Sequence, residues 1–114
     1  MSDSMFQLCF EQFKMVYDAV KHEAEFRICF DDHDNEYMII KYENKVSFQR
    51  CGVSNGSGEL IFDSLDSLYI ARTIDNICLN ADWTKITSII MDDFFDLCDK
   101  SDFVQLCEEY QIIE

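Results

Sequence analysis

Proline is absent from the 114 residues, and the three glycines all fall between Gly52 and Gly58. Without proline there is no stiff linker, and without glycine elsewhere there is no phosphate-cradling loop of the Gly-rich kind. Histidine occurs twice, as His22 and His33, which leaves little material for acid–base chemistry. No two of the six cysteines lie closer than Cys98 and Cys107, so the paired spacing of a zinc site is missing. No apolar run approaches the ~18 residues that cross a membrane, and no charged leader with an apolar stretch opens the chain. Bases are scarce: nine Lys and Arg stand against 23 Asp and Glu, a net charge of −14.

What is present is core material. Hydrophobic residues make up 48% and aromatics 14%, with ten phenylalanines. That suits one folded domain over residues 1–114 rather than a disordered chain. Every cysteine falls within an apolar periodic segment, as a buried free thiol would. Six reduced thiols and no leader point to the cytoplasm.

Periodicity gives the order of elements. Phe6, Cys9, Phe10, Phe13, Val16, Tyr17 and Val20 form one stripe, predicting a helix from Phe6 to His22 capped by Ser4 or by its neighbours Asp3 and Ser2. Period-two alternation follows at Phe26, Ile28 and Phe30, then from Glu36 to Tyr42, Val46 to Cys51 and Glu59 to Phe62. Short polar connections between these runs indicate an antiparallel meander, with the apolar Tyr37–Tyr42 segment central. Leu65, Leu68 and Tyr69 predict a short helix after Asp63 or Ser64. Thr84 to Met91 is rich in β-branched residues, which favours a strand, whereas Trp83, Ile86, Ile89, Ile90 and Phe94 fit a helical stripe. Following the stripe gives a helix from Asp82. Phe94, Leu97 and Cys98 then share a helical stretch, and Ser101 caps a last helix carrying Phe103, Leu106, Cys107 and Tyr110. Strands followed by helices imply an α+β fold, the helices packed on one face of a four-stranded sheet.

The search for chemistry returns little. His22 suits a helix C-terminus and His33 lies at a hairpin tip, each in a structural or solvated role. Asp32 to Glu36 begins like a calcium loop but has Tyr37 where that loop needs glycine. Neither a metal nor a cofactor is expected, and catalysis is the weakest of three readings. Acidity is uneven, however. Eight acids and one base between Asp92 and Glu114 give a net −7, and Asp31 to Glu36 forms a second cluster. Asp31, Asp32, Asp34, Glu36, Asp92, Asp93, Asp96 and Asp99 are therefore the candidate contacts for a basic protein partner. On helices the last four would lie opposite Phe94 and Leu97, in water. The same charge disfavours nucleic acid and anionic membranes as partners.

The run Ile61-Phe62-Asp63-Ser64-Leu65-Asp66-Ser67-Leu68 leading into helices, and the acidic stretches Asp92 to Leu97 and Glu108 to Tyr110, resemble small bacterial immunity proteins. The resemblance covers the general layout, with local similarity in the second half. It implies neutralisation of a cognate toxin domain, of the polymorphic or contact-dependent kind, by charge-complementary binding. Its rival is a phage or mobile-element anti-restriction or anti-CRISPR protein that mimics DNA. Duplex DNA carries about one charge per 100 Å² of its surface, and a domain of this size with this charge only about one per 450 Å². A mimic would need its acids gathered on one face.

Overall fold

The computed structural model describes residues 6–52 and 59–112. Most of the glycine-containing loop, and Ser2, Asp3 and Ser4 as candidate caps, lie outside these residues. Helix α1 spans Phe10–Ala19. It starts later than its apolar stripe because the preceding residues are engaged elsewhere. Phe6 packs on Phe103 with ring centroids 5.7 Å apart, and the Leu8 carbonyl accepts from the Trp83 indole at 2.8 Å. Cys9 takes the N-cap position, its N–H donating to Gln12 Oε1 at 2.9 Å. At the other end, Lys41 Nζ donates to the carbonyls of Tyr17 and Val20 at 2.5 and 2.6 Å. An ammonium there takes up carbonyls that the helix leaves unpaired. His22 consequently lies beyond the helix, with Nδ1 2.7 Å from the Glu23 carbonyl.

The meander follows as expected: β1 (Ala24–Phe30), β2 (Glu36–Lys41), β3 (Val46–Arg50) and β4 (Leu60–Phe62). Ser64 caps α2 (Leu65–Ile70), its Oγ accepting from the Ser67 N–H at 3.1 Å. A 3-10 turn at Ile74–Asn76, the one-turn α3 (Leu79–Asp82) and a second 3-10 turn at Trp83–Lys85 lead to the principal difference from the sequence reading. Ile86–Met91 is a strand, β5, and not part of a helix. It lies antiparallel to β1, with Phe26 opposite Met91 and Ile28 opposite Ile89. Its apolar residues satisfy both periods, and the edge of β1 left bare by the meander decides between them. A short hairpin returns as β6 (Phe95–Asp96), so Phe94, Leu97 and Cys98 share no helix. The last helix, α4 (Lys100–Glu109), is capped by Asp99 rather than by Ser101; Asp99 Oδ1 accepts from the Asp102 N–H at 3.1 Å.

The six strands form one antiparallel sheet in the order β4-β3-β2-β1-β5-β6, so β2 and β1 are central. Phe26, Ile28, Tyr37, Ile39, Val46, Phe48 and Ile89 are fully buried on one face. The helices cover this face: Phe13 of α1 meets Phe26 edge-on at 5.2 Å, and Phe10 stacks on Tyr69 of α2 at 3.6 Å. The chain is thus a two-layer α+β fold, with more strands than the meander alone supplies. On the opposite face Arg27, Met38, Ile40 and Ile90 are half-buried and Ile61 is 51% exposed. Ser47 also points this way, flanked in register by Ile40 and Ile61. It has no exposed surface, and its Oγ has no hydrogen-bond partner among the described residues.

All six cysteines are free thiols. The expectation that each is buried does not hold: Cys9 is exposed and the other five are half-buried. A cap position sits at the helix rim, and Cys29 lies on the sheet face away from the described helices. Burial pushes the Cys98 thiol up to about 12.

Candidate functional site

Of the eight candidate acids, Asp31, Asp32, Asp34 and Glu36 lie towards one end of the sheet and Asp92 and Asp93 at the other, while Asp96 is in β6 and Asp99 heads α4. The turn after Phe30 carries Asp31, Asp32 and Asp34 at the end where β1 gives way to β2. The turn after Met91 carries Asp92 and Asp93 at the opposite end, where the Asp92 N–H donates to the Glu25 carbonyl at 3.0 Å. A strand of β1's length separates them by about 20 Å. Arg27, in the middle of β1, joins the two groups. Its Nη2 donates to Asp93 Oδ1 at 2.7 Å, and its Nε lies 3.9 Å from Glu36 Oε1. Glu36 and Asp93 are therefore brought onto one guanidinium on the face away from the described helices.

The first turn is built as the sequence indicates. Asp31, Asp32, Asp34 and Glu36 are all exposed. Asp32 pairs with Lys85 at 3.1 Å, and that ammonium, through hydrogen bond and charge, holds its carboxyl below the usual range. Asp31 and Asp34 make no ion pair among the described residues. His33, half-buried, takes the structural of its two expected roles. Its ring packs edge-on against Phe30 at 5.9 Å and Tyr37 at 5.8 Å, because the turn folds it back over the end of the core.

The second group departs from the sequence reading, since none of it is helical. Asp92 and Asp93 hold left-handed conformations, with φ of 51° and 65°. A tight turn with right-twisted strands asks for φ > 0, and aspartate tolerates it better than most residues. Asp92 Oδ1 accepts from the Glu25 N–H at 3.2 Å. Asp96 is half-buried and its Oδ1 accepts from the N–H groups of Ile89 and Cys98, at 3.3 and 3.0 Å. Asp99 is the cap of α4. Asp96 and Asp99 thus fill backbone roles that a solvated helical face would not require. Phe94, read as a core residue, stands 82% exposed at the tip of this hairpin. No sequence signal separates it from Phe95, whose ring stays half-buried.

A third group went unnoticed in the sequence. Tyr37, fully buried, donates its hydroxyl to Asp75, and Arg50 reaches the same carboxylate at 3.3 Å. Asp75 and Asn76 are left-handed, with φ of 56° and 68°. Desolvation, reinforced by Asp75, pushes the Tyr37 hydroxyl up to about 12. This cluster ties the Ile74–Asn76 turn to the sheet.

No family model, curated protein or solved structure matches the chain. The site's properties must therefore be read from its own chemistry. A cavity of about 200 Å³ is lined by Phe6, Gln7, Leu8, Trp83, Thr84, Ile86, Thr87, Ile89 and Cys98. Among the described residues no three His, Cys, Asp or Glu side chains converge to hold a metal ion. No helix there is long and apolar enough to cross a membrane.

The bases show the clearest pattern. Lys14 pairs with Asp66, Arg27 with Asp93, Arg50 with Asp75, and Lys85 with Asp32 and Asp82. Lys21 and Lys41 donate to α1 carbonyls, Arg72 to Asn76, and Lys45 lies over the Tyr42 ring. Only Lys100 has no partner among the described residues. The cations are spent internally, and the surplus left facing water is carboxylate.

Proposed function

We propose that the chain is a protein-binding inhibitor, an immunity protein that neutralises a cognate toxin domain by charge-complementary binding. The internal pairing of the bases carries this reading. Acids outnumber bases by 14, and the bases that remain do little to interrupt the outward negative field. Such a field speeds encounter with a cationic protein and orients it, and it repels nucleic acid. A nuclease cleft, basic because it holds phosphates, is the kind of partner that fits. The separation of the acids between two ends of the sheet favours this reading over mimicry of DNA, which needs charge of one sign along one face.

The reading is tested by expressing the chain beside a panel of basic nuclease toxin domains. Rescue confined to one domain, with a purified complex that weakens steeply as salt rises, is the expected result. Rescue by none, or a complex indifferent to salt, would overturn it.

A further inference from the structure

The sheet face away from the described helices carries apolar and charged side chains together. Ile61 on β4, Ile40 and Met38 on β2, and Ile90 on β5 stand on this face, with Ser47 between Ile61 and Ile40 and Arg27 between Met38 and Ile90, and the exposed Phe94 lies on the turn at one corner. All the described helices pack on the other face. The face is about 24 Å wide across six strands and about 20 Å along them. That is roughly 500 Å² in projection, and side-chain relief raises it towards the ~800 Å² per partner of a stable interface.

Charge decides what fits there. Glu25 and Glu36 are exposed and point outward on β1 and β2, Asp93 closes the corner beside Phe94, and Arg27 between them is held by Asp93 and Glu36. A second copy of this chain would set acid against acid around the rim. A nucleic acid or an anionic bilayer would meet the same repulsion.

Resting on the reading of the chain as a binder of a basic protein, we propose that this face is where the partner docks. Its occupant is a folded protein whose contact surface is apolar at the centre and bordered by lysine or arginine. Phe94 is the anchor. An aromatic ring in water gains by entering a partner's pocket, here at the edge of the contact. Asp92 is fixed to the Glu25 backbone by two hydrogen bonds, and Asp93 is fixed to Arg27, so the turn that presents the ring is already in place before encounter. The Asp31–Asp34 turn lies at the far end and serves long-range attraction, without direct contact.

The test uses the full chain, isotope-labelled, and a short synthetic peptide of alternating lysine and leucine as the probe. Amide shifts at low salt are expected at Arg27, Met38, Ile40, Ile90 and Phe94. Phe94→Ser combined with Ile90→Thr, which leaves the core untouched, is expected to weaken the probe by roughly tenfold or more. Shifts that map instead to Asp31–Asn35 or to the helical face would overturn the docking face, while leaving a charge-driven binder intact. Equal binding of a lysine–serine peptide would do the same by removing the apolar contribution. Failure of both peptides to bind at low salt would remove the parent reading as well. Sedimentation showing self-association that Phe94→Ser abolishes would assign the face to a second copy and overturn the proposed occupant.

Discussion

The Tyr37 hydroxyl donates to the Asp75 carboxylate across 38 residues, joining the buried start of β2 to a left-handed turn at the surface. The Tyr37 ring stacks on Phe48 at 5.7 Å, nearly parallel, and that contact does not depend on the hydroxyl. Tyr37→Phe should therefore keep the packing and lose one hydrogen bond to a charged group. A loss of about 1.5–3 kcal/mol is expected in urea unfolding. An unchanged midpoint would show that the Ile74–Asn76 turn is held by other means.

The same tyrosine sets an alkaline limit. Desolvation pushes the hydroxyls of both Tyr17 and Tyr37 from 10.0 up to about 12. Below pH 10 the phenols are neutral in both folded and unfolded chains, and stability is complete. Between 10 and 12 the unfolded chain ionises while the folded one resists, so stability falls as pH rises. Unfolding free energies measured on either side of this window should differ, and Tyr37→Phe should reduce the difference. A flat profile would show that both rings are accessible to hydroxide in the folded state.

Much of this architecture is legible in the sequence, because α1 and the four meander strands are specified by contacts within a few residues. Alternation at Phe26, Ile28 and Phe30 leaves no other choice. Residues 86–91 are different. Ile86, Ile89 and Ile90 satisfy a helical stripe and a strand equally, and what selects the strand is an empty edge on β1, some 60 residues away. The candidate site shares this split. Asp31 to Glu36 lies on the expected turn because a hairpin tip is a local feature. The roles of Asp96 and Asp99 depend on β6 and on the start of α4, both consequences of β5. Phe94's exposure follows from the same misread element.

Charge reversal should consequently act differently at the two acidic groups. Asp96→Lys removes the acceptor of two backbone N–H groups, one of them on β5, and should cost about 1–3 kcal/mol of stability. Asp31→Lys and Asp34→Lys touch no ion pair among the described residues and should leave the thermal midpoint within experimental error. Equal effects at the three positions would contradict the arrangement of the β6 turn.

Ser47 offers a stabilising substitution. Its buried Oγ has no hydrogen-bond partner among the described residues, so the hydroxyl costs desolvation with no return. Ser47→Ala should raise stability by about 1 kcal/mol in urea unfolding. A loss of stability would reveal a partner for the hydroxyl.

The thiols should sort by reactivity. Cys9, exposed at the rim of α1, should react with a thiol reagent in the native protein well before Cys98, whose thiol is pushed up to about 12. Rapid modification of Cys98 without unfolding would show that the cavity between Phe6 and β5 opens readily.

The strand order carries a consequence for synthesis. Phe26, Ile28 and Phe30 find cross-strand neighbours on only one flank until Ile86–Met91 has left the ribosome. During that interval the newborn meander presents an adhesive border to any other extended chain. The last quarter of the polypeptide works as a seam, and the molecule becomes safe from its own kind only when that seam is sewn.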